Sequence, residues 1–178
     1  MYREIESVTF PKSNNIHVNM MPIIFGDPNS VPSFLSHYQS MIDKCPLKEG
    51  SIVYLTVHEG MVRKDKTLRR PGIHTDGTNR AGWGGGWGTS EGIYMASTDG
   101  RCRVWDCITY DVDHMGSCSQ PNAKNEVMKP NYLYWMTDRT PHELLPAETT
   151  GPRQFFSFGF RWCWCVVCKT FHPKPTWH

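Results

Sequence analysis

Arg153-Gln-Phe-Phe-Ser-Phe-Gly-Phe-Arg-Trp-Cys-Trp164 is the stretch whose reading decides the fold class of this chain. Side chains along a β-strand alternate between two faces, and residues 154–164 sort cleanly on that rule. Phe156, Phe158, Phe160, Trp162 and Trp164 make one face an aromatic wall. Phe155, Ser157, Gly159, Arg161 and Cys163, with Arg153 at the entry, make the other face mixed and small, as the lining of a ligand-holding barrel would be. Arg153 on that face needs a carboxylate, from the protein or from a ligand, because a buried guanidinium without an anionic partner is costly.

Outward from this strand, β-branched and aromatic runs recur at residues 52–57 (IVYLTV), 92–96 (GIYMA), 102–108 (CRVWDCI) and 132–136 (YLYWM), with Gly and Pro between them. One helix is predicted over residues 31–43. Phe34, Leu35, Tyr38, Met41 and Ile42 follow helical spacing there, Asp27-Pro-Asn-Ser30 supplies turn and capping residues, and Pro32 is tolerated in a first turn. Short strands at such spacing indicate a mainly β sandwich or barrel with a helix packed outside.

The chain has 178 residues, which suits a single domain over 1–178. A formal net charge of +2 gives no broad field for capturing nucleic acid or an anionic membrane. Arg63, Lys64, Lys66, Arg69 and Arg70 lie close together and read as a solvated loop. No stretch is apolar enough to span a bilayer or to serve as a signal core. The seven Cys are an odd number without an extracellular framework. A reduced, cytoplasmic setting is therefore expected.

The chemistry concentrates in Arg70-Pro-Gly-Ile-His74-Thr-Asp76-Gly. On extended backbone His74 and Asp76 point the same way and can share a cation. His142 in Thr140-Pro-His142-Glu follows the strand YLYWM and supplies a second imidazole from a neighbouring strand. Two His and one carboxylate leave three positions open on an octahedral ion, the ligand set of non-haem Fe(II) oxygenases. Arg153 follows His142 by eleven positions, enough for a turn and a return into the next strand. Its fork could there grip one end of a small dicarboxylate while the other end chelates the metal. The alternative for the first motif is a loop histidine followed by a simple Asp-Gly turn.

His74-Thr-Asp76, His142 and Gly151-Pro-Arg153 resemble the core motifs of the Fe(II)- and 2-oxoglutarate-dependent dioxygenases, most closely the prolyl-hydroxylase-like branch. IYMASTDGRCRVWD and NYLYWMTDRTPHELLPAETTGPRQFFSFGF resemble that branch's middle and closing strands, so the likeness covers roughly residues 52–161. It implies a double-stranded β-helix (jelly-roll, cupin-like) fold and Fe(II) at His74, Asp76 and His142. It also implies 2-oxoglutarate held through its far carboxylate by Arg153. The expected activity is hydroxylation of a small molecule or an amino-acid side chain by molecular oxygen, with Asp76 arguing against a halogenase. A hydroxyl residue often sits two positions after the family's Arg, whereas this chain has Phe155. Tyr94, or Tyr54, is a candidate for a hydroxyl contact to the cosubstrate, the alternative being a core tyrosine.

Gly82-Trp-Gly-Gly-Gly-Trp87-Gly follows the first ligands and reads as a lid whose Trp83 and Trp87 contact substrate, or as a Gly-rich turn anchored by two Trp. Cys163, Cys165, Cys168 and His172 have the spacing of a compact zinc site, the alternative being ordinary core thiols. Asp111-Val-Asp113-His114 reads as a polar loop, and His17 and His58 as ordinary. Two rival functions follow from the same residues. One is a nucleobase-oxidising dioxygenase using Trp83, Trp87 and the basic cluster, disfavoured by the low net charge. The other is a non-catalytic metal- or ligand-binding jelly roll.

Overall fold

The computed structural model describes residues 1–67, 69–77 and 92–159. Trp83, Trp87, Phe160, Arg161, Trp162, Trp164 and the Cys163, Cys165, Cys168, His172 group lie outside the described residues. Among the described residues the architecture is mainly β, with two antiparallel sheets and one short α-helix. The strands are β1 (Tyr2–Ser7), β2 (His17–Ile24), β3 (Ile52–Val62), β4 (Ile93–Ser97), β5 (Cys102–Trp105), β6 (Asn125–Val127), β7 (Tyr132–Met136), β8 (His142–Leu144) and β9 (Gly151–Gly159). The larger sheet runs β1-β7-β4-β9-β3-β2 and the smaller β6-β5-β8.

Alternation on β9 splits the interior as the sequence predicts for the residues described. Phe156 and Phe158 are both fully buried in a core between the larger sheet and the helical segment. Val53, Leu55 and Val57 of β3 and Tyr94 and Ala96 of β4 point into that same layer. The opposite face of the larger sheet looks towards the smaller one. There Ile93, Met95, Tyr134, Met136 and Phe155 meet Cys102 and Val104 of β5. The register sets Thr56 beside Ser157, and Ser157 beside Met95, in a row across this inner face.

The predicted helix over 31–43 is corrected. Residues Ser33–Tyr38 form a 3-10 turn, and only Gln39–Ile42, α1, is α-helical. Pro32 offers no side-chain cap, and the Ser36 hydroxyl donates to Ser33 O at 2.7 Å, satisfying locally a carbonyl that a regular helix would use. The buried face is nonetheless close to the expected one. Leu35, Tyr38, Met41 and Ile42 are buried, but Phe34 is half exposed. The strand expected over 102–108 stops at Trp105, because Cys107 N–H folds back onto Trp105 O at 2.8 Å. Short β6 and β8 and the bulged β1 and β2 were not anticipated, since three-residue strands and bulges blur a two-residue period.

One buried charge ties these layers together. Glu59 on β3 has no exposed surface, yet its carboxylate accepts from Asn14 N–H (2.7 Å), Ile16 N–H (2.9 Å), Ser13 hydroxyl (3.2 Å), Tyr38 hydroxyl (2.7 Å) and Gln154 Nε2 (3.3 Å). Burial alone would raise its pKa, but the Ile16, Tyr38, Asn14 and Ser13 donors together hold it below the usual value of 4.5. A depressed pKa contributes stability that is complete above the unfolded-state value and is lost as pH falls through the folded one. Glu59→Gln should therefore destabilise the fold by about 1–3 kcal/mol at neutral pH, the cost of breaking charged hydrogen bonds. The gap between variant and wild type should narrow below pH 4.5 in urea titrations followed by circular dichroism.

Candidate metal centre

His74 and His142 are brought together by backbone, not by side chains. His74 N–H donates to His142 O and His142 N–H donates to His74 O, each at 2.9 Å, an isolated antiparallel bridge that adds residue 74 to the edge of β8. Residues paired directly across strands project to the same face, and the two imidazole centroids lie 4.5 Å apart. On its other side His74 bridges Ser117, while Thr75 N–H donates to Gly116 O at 2.9 Å. The ligand segment is thus clamped between β8 and the loop before β6.

Asp76 completes the group. His142 Nε2 is 4.0 Å from Asp76 Oδ1, and one donor atom from each of the three residues lies within 4.8 Å of the others. Both histidines are buried, and Asp76 is partly exposed. The tautomers follow from the partners. His74 Nδ1 lies 2.7 Å from Gly72 O and His142 Nδ1 lies 3.0 Å from Thr140 O. A carbonyl only accepts, so each ring carries its proton on Nδ1 and turns the Nε2 lone pair towards the shared space, the usual outer support of a metal-bound histidine. Burial, then the neighbouring His142, pushes the pKa of His74 down to about 4 against the opposing pull of Gly72 O and Asp76. The ring is therefore neutral and free to ligate at physiological pH.

Gly77 lets this segment pass. A Cβ there would sit 2.7 Å from Asp138 Oδ2, while its N–H donates to Asp138 O at 2.8 Å. Asp138 itself is buried, and burial raises its pKa, with Asp76 adding to the rise.

The three residues open onto a cavity of about 300 Å³ between the sheets. Met95, Phe155 and Ser157 form its floor on the larger sheet, with Thr56 beside them. Asn19 and Met20 reach in from a bulge in β2, where Met20 has φ 59° and its N–H donates to Thr56 Oγ1 at 3.0 Å. Arg69 and Arg70 also line it, so the basic cluster is only partly a solvated loop: Arg63, Lys64 and Lys66 are exposed as expected. Sequence reasoning missed the contributions of β2, Arg69 and Arg70. The bulge has no periodic signature, and the Arg pair was legible only as charge.

Arg153 is buried on the inner face of β9, as its strand position predicts. Its protein carboxylate is Asp99, with Arg153 Nε 2.7 Å from Asp99 Oδ1 and 3.1 Å from Ser97 Oγ. Gly100, at φ 60°, makes the turn that delivers Asp99, since a Cβ there would meet Pro130 N at 2.4 Å. The outer nitrogens Nη1 and Nη2 are buried and have no hydrogen-bond partner among the described residues. A second void of about 10 Å³, room for one water, borders Arg153 and shares Met95, Cys102, Leu144 and Phe155 with the main cavity. Tyr94 is not brought to the site: its hydroxyl donates to Pro46 O at 3.3 Å and its ring packs in the helix-side core. Asp113 behaves as a loop residue, its Oδ1 accepting from Met115 and Ser117 N–H at 2.8 Å each.

Comparison with known proteins finds no matching family model, no matching curated protein and no matching solved structure. No helix among the described residues is long and apolar enough to cross a membrane.

His142→Ala and Asp76→Ala should each weaken Mn(II) binding by about 100-fold or more, beyond the roughly 10–100-fold cost of losing an outer-shell hydrogen bond. Electron paramagnetic resonance titration of free Mn(II) measures this directly. Arg63→Ala, on the exposed loop, should leave the affinity unchanged.

Proposed function

We propose that this chain is a non-haem Fe(II)- and 2-oxoglutarate-dependent oxygenase of jelly-roll fold that hydroxylates a small molecule or an amino-acid side chain. The observation that carries the reading is a pair. A His74, Asp76, His142 cluster with both Nε2 atoms free shares a cavity wall with an Arg153 whose outer fork lacks an acceptor. Two imidazoles and one carboxylate fit Fe(II) by donor type and leave positions for a chelating cosubstrate and oxygen. A buried guanidinium with two unpaired nitrogens fits a carboxylate by geometry and charge. When bound, the iron would activate molecular oxygen, the oxidant, while 2-oxoglutarate would supply two electrons and leave as succinate and carbon dioxide, one oxygen atom going to succinate and the other to the substrate.

The chain's own residues then have assignable tasks. His74 and His142 present Nε2 atoms whose orientation is fixed by Gly72 O and Thr140 O. Asp99 holds Arg153 through Nε, which aims the Nη pair as a unit rather than leaving a free rotor. Met95, Cys102, Leu144 and Phe155 stand between fork and metal ligands, so a dicarboxylate spanning both must displace part of that apolar wall and becomes dehydrated by it. The void beside the fork holds about one water, so cosubstrate binding is expected to be coupled to movement of these side chains.

Anaerobic addition of Fe(II) and 2-oxoglutarate should give a weak visible charge-transfer band, and admission of oxygen should release succinate. A charge-assisted contact contributes about 1.5–3 kcal/mol, so Arg153→Gln should raise the half-saturating 2-oxoglutarate concentration by roughly 10- to 150-fold. Mn(II) affinity should be unchanged in the same variant. Undiminished 2-oxoglutarate binding in Arg153→Gln would remove the cosubstrate assignment and leave a metal-binding jelly roll as the reading.

A further inference from the structure

Among the described residues, the cavity beside the His74, Asp76, His142 group is lined by two guanidinium groups and one carboxylate, Asp76 of that group. Arg70 is committed to the fold: Nη1 donates to Met115 O at 2.6 Å and Nη2 to Ser117 Oγ, fastening the loop that flanks His74. Arg69 is held differently. Its guanidinium carbon lies 5.0 Å from the centre of the Phe155 ring, and no acidic side chain or hydrogen-bond acceptor among the described residues engages it. An aromatic face seats a guanidinium without using its in-plane N–H groups. Those donors remain as a planar fork of the kind that takes a carboxylate or phosphoryl group through two parallel bonds.

The surroundings favour an anion at this place. Arg153, held by Asp99 through Nε, borders the smaller void and not this cavity. His58 is paired with Phe155 across β3 and β9, and its pKa is lowered to about 4 by burial and then by Arg69. At neutral pH the neighbouring imidazole is therefore uncharged and neither competes for an anion nor supplies one. A volume of about 300 Å³ is at the small end of ligand pockets, which fits a compact molecule rather than a polymer.

We infer that Arg69 is the specificity-determining residue of this cavity and that it recognises an anionic group, a carboxylate or a phosphoryl, on a small substrate. The inference rests on the oxygenase reading only for the word substrate, because the anion site itself is defined by Arg69, Phe155 and the cavity wall. The stacked geometry places the anion at the Phe155 side of the cavity.

Ligand-observed magnetic resonance on the full chain, metal-free and with Zn(II), tests this with three probes of matched shape: benzoate, phenyl phosphate and benzamide. Benzoate or phenyl phosphate should bind about tenfold or more tightly than benzamide, one charged contact's worth. The tighter of the two tells carboxylate from phosphoryl. Arg69→Gln should level the three probes, Arg69→Lys should retain part of the preference, and Arg63→Gln should leave it intact. Equal binding of acid and amide to the wild type overturns the inference. So does a preference that survives Arg69→Gln, or one that is lost only in Arg153→Gln. Zn(II) affinity, measured by calorimetry on the same samples, separates the two levels. A chain that prefers the anion through Arg69 but does not bind Zn(II) would sink the metal reading and leave the anion site standing.

Discussion

β9 is hydrogen-bonded along both edges, to β3 on one side and β4 on the other, and the placement of every other inner residue depends on that double pairing. A one-residue slip would turn Phe156 and Phe158 out of the helix-side core and swing Arg153 and Ser157 away from the interior. With two partners in register and two fully buried aromatics on one face, the slip is forbidden from both sides. The cost of that rigidity is that the inner face must accept whatever β9 carries there. It carries a guanidinium and a hydroxyl beside an apolar floor.

The histidine pair extends the same logic to a segment that is not a strand. Residue 74 contributes one reciprocal pair of backbone hydrogen bonds to the edge of β8, and this suffices to place two imidazoles from distant parts of the chain on one face. Side-chain hydrogen bonds to Gly72 O and Thr140 O, each two residues back along the chain, then fix both rings. The cluster is prearranged by local geometry before any ligand contributes, which lowers the ordering cost of binding.

What the sequence made legible was whatever alternates or stacks in a fixed period. The two faces of β9, the strand Tyr132–Met136 and the shared direction of His74 and Asp76 all follow from a period of two. The buried face of residues 35–42 was readable although the helix type was not. The spacing of Leu35, Tyr38 and Ile42 survives a change from α to 3-10 geometry better than the hydrogen-bond pattern does. Bulges, three-residue strands and loop positions were not legible. Asn19, Met20 and Arg69 enter the cavity through such features. The same limit explains Tyr94: it lies on the right strand but on the helix-side face, and its position relative to the ends of β4 did not reveal which face was inner.

Two buried charges show how the fold separates scaffold from site. Glu59 receives five donors from three different parts of the chain and has no unmet requirement, so nothing is gained by bringing a ligand to it. Arg153 is buried to the same degree but bonded only at Nε, leaving both outer nitrogens without an acceptor in an interior where that is expensive. Had selection acted on stability alone, a second carboxylate or an apolar residue at 153 would remove the penalty. Phe155 sharpens the contrast. It offers no polar group on the inner face, and its ring instead supports the guanidinium of Arg69. The inner face of β9 thus carries one half-satisfied cation and seats another. Both are positioned by contacts that leave their outer nitrogens without an acceptor among the described residues.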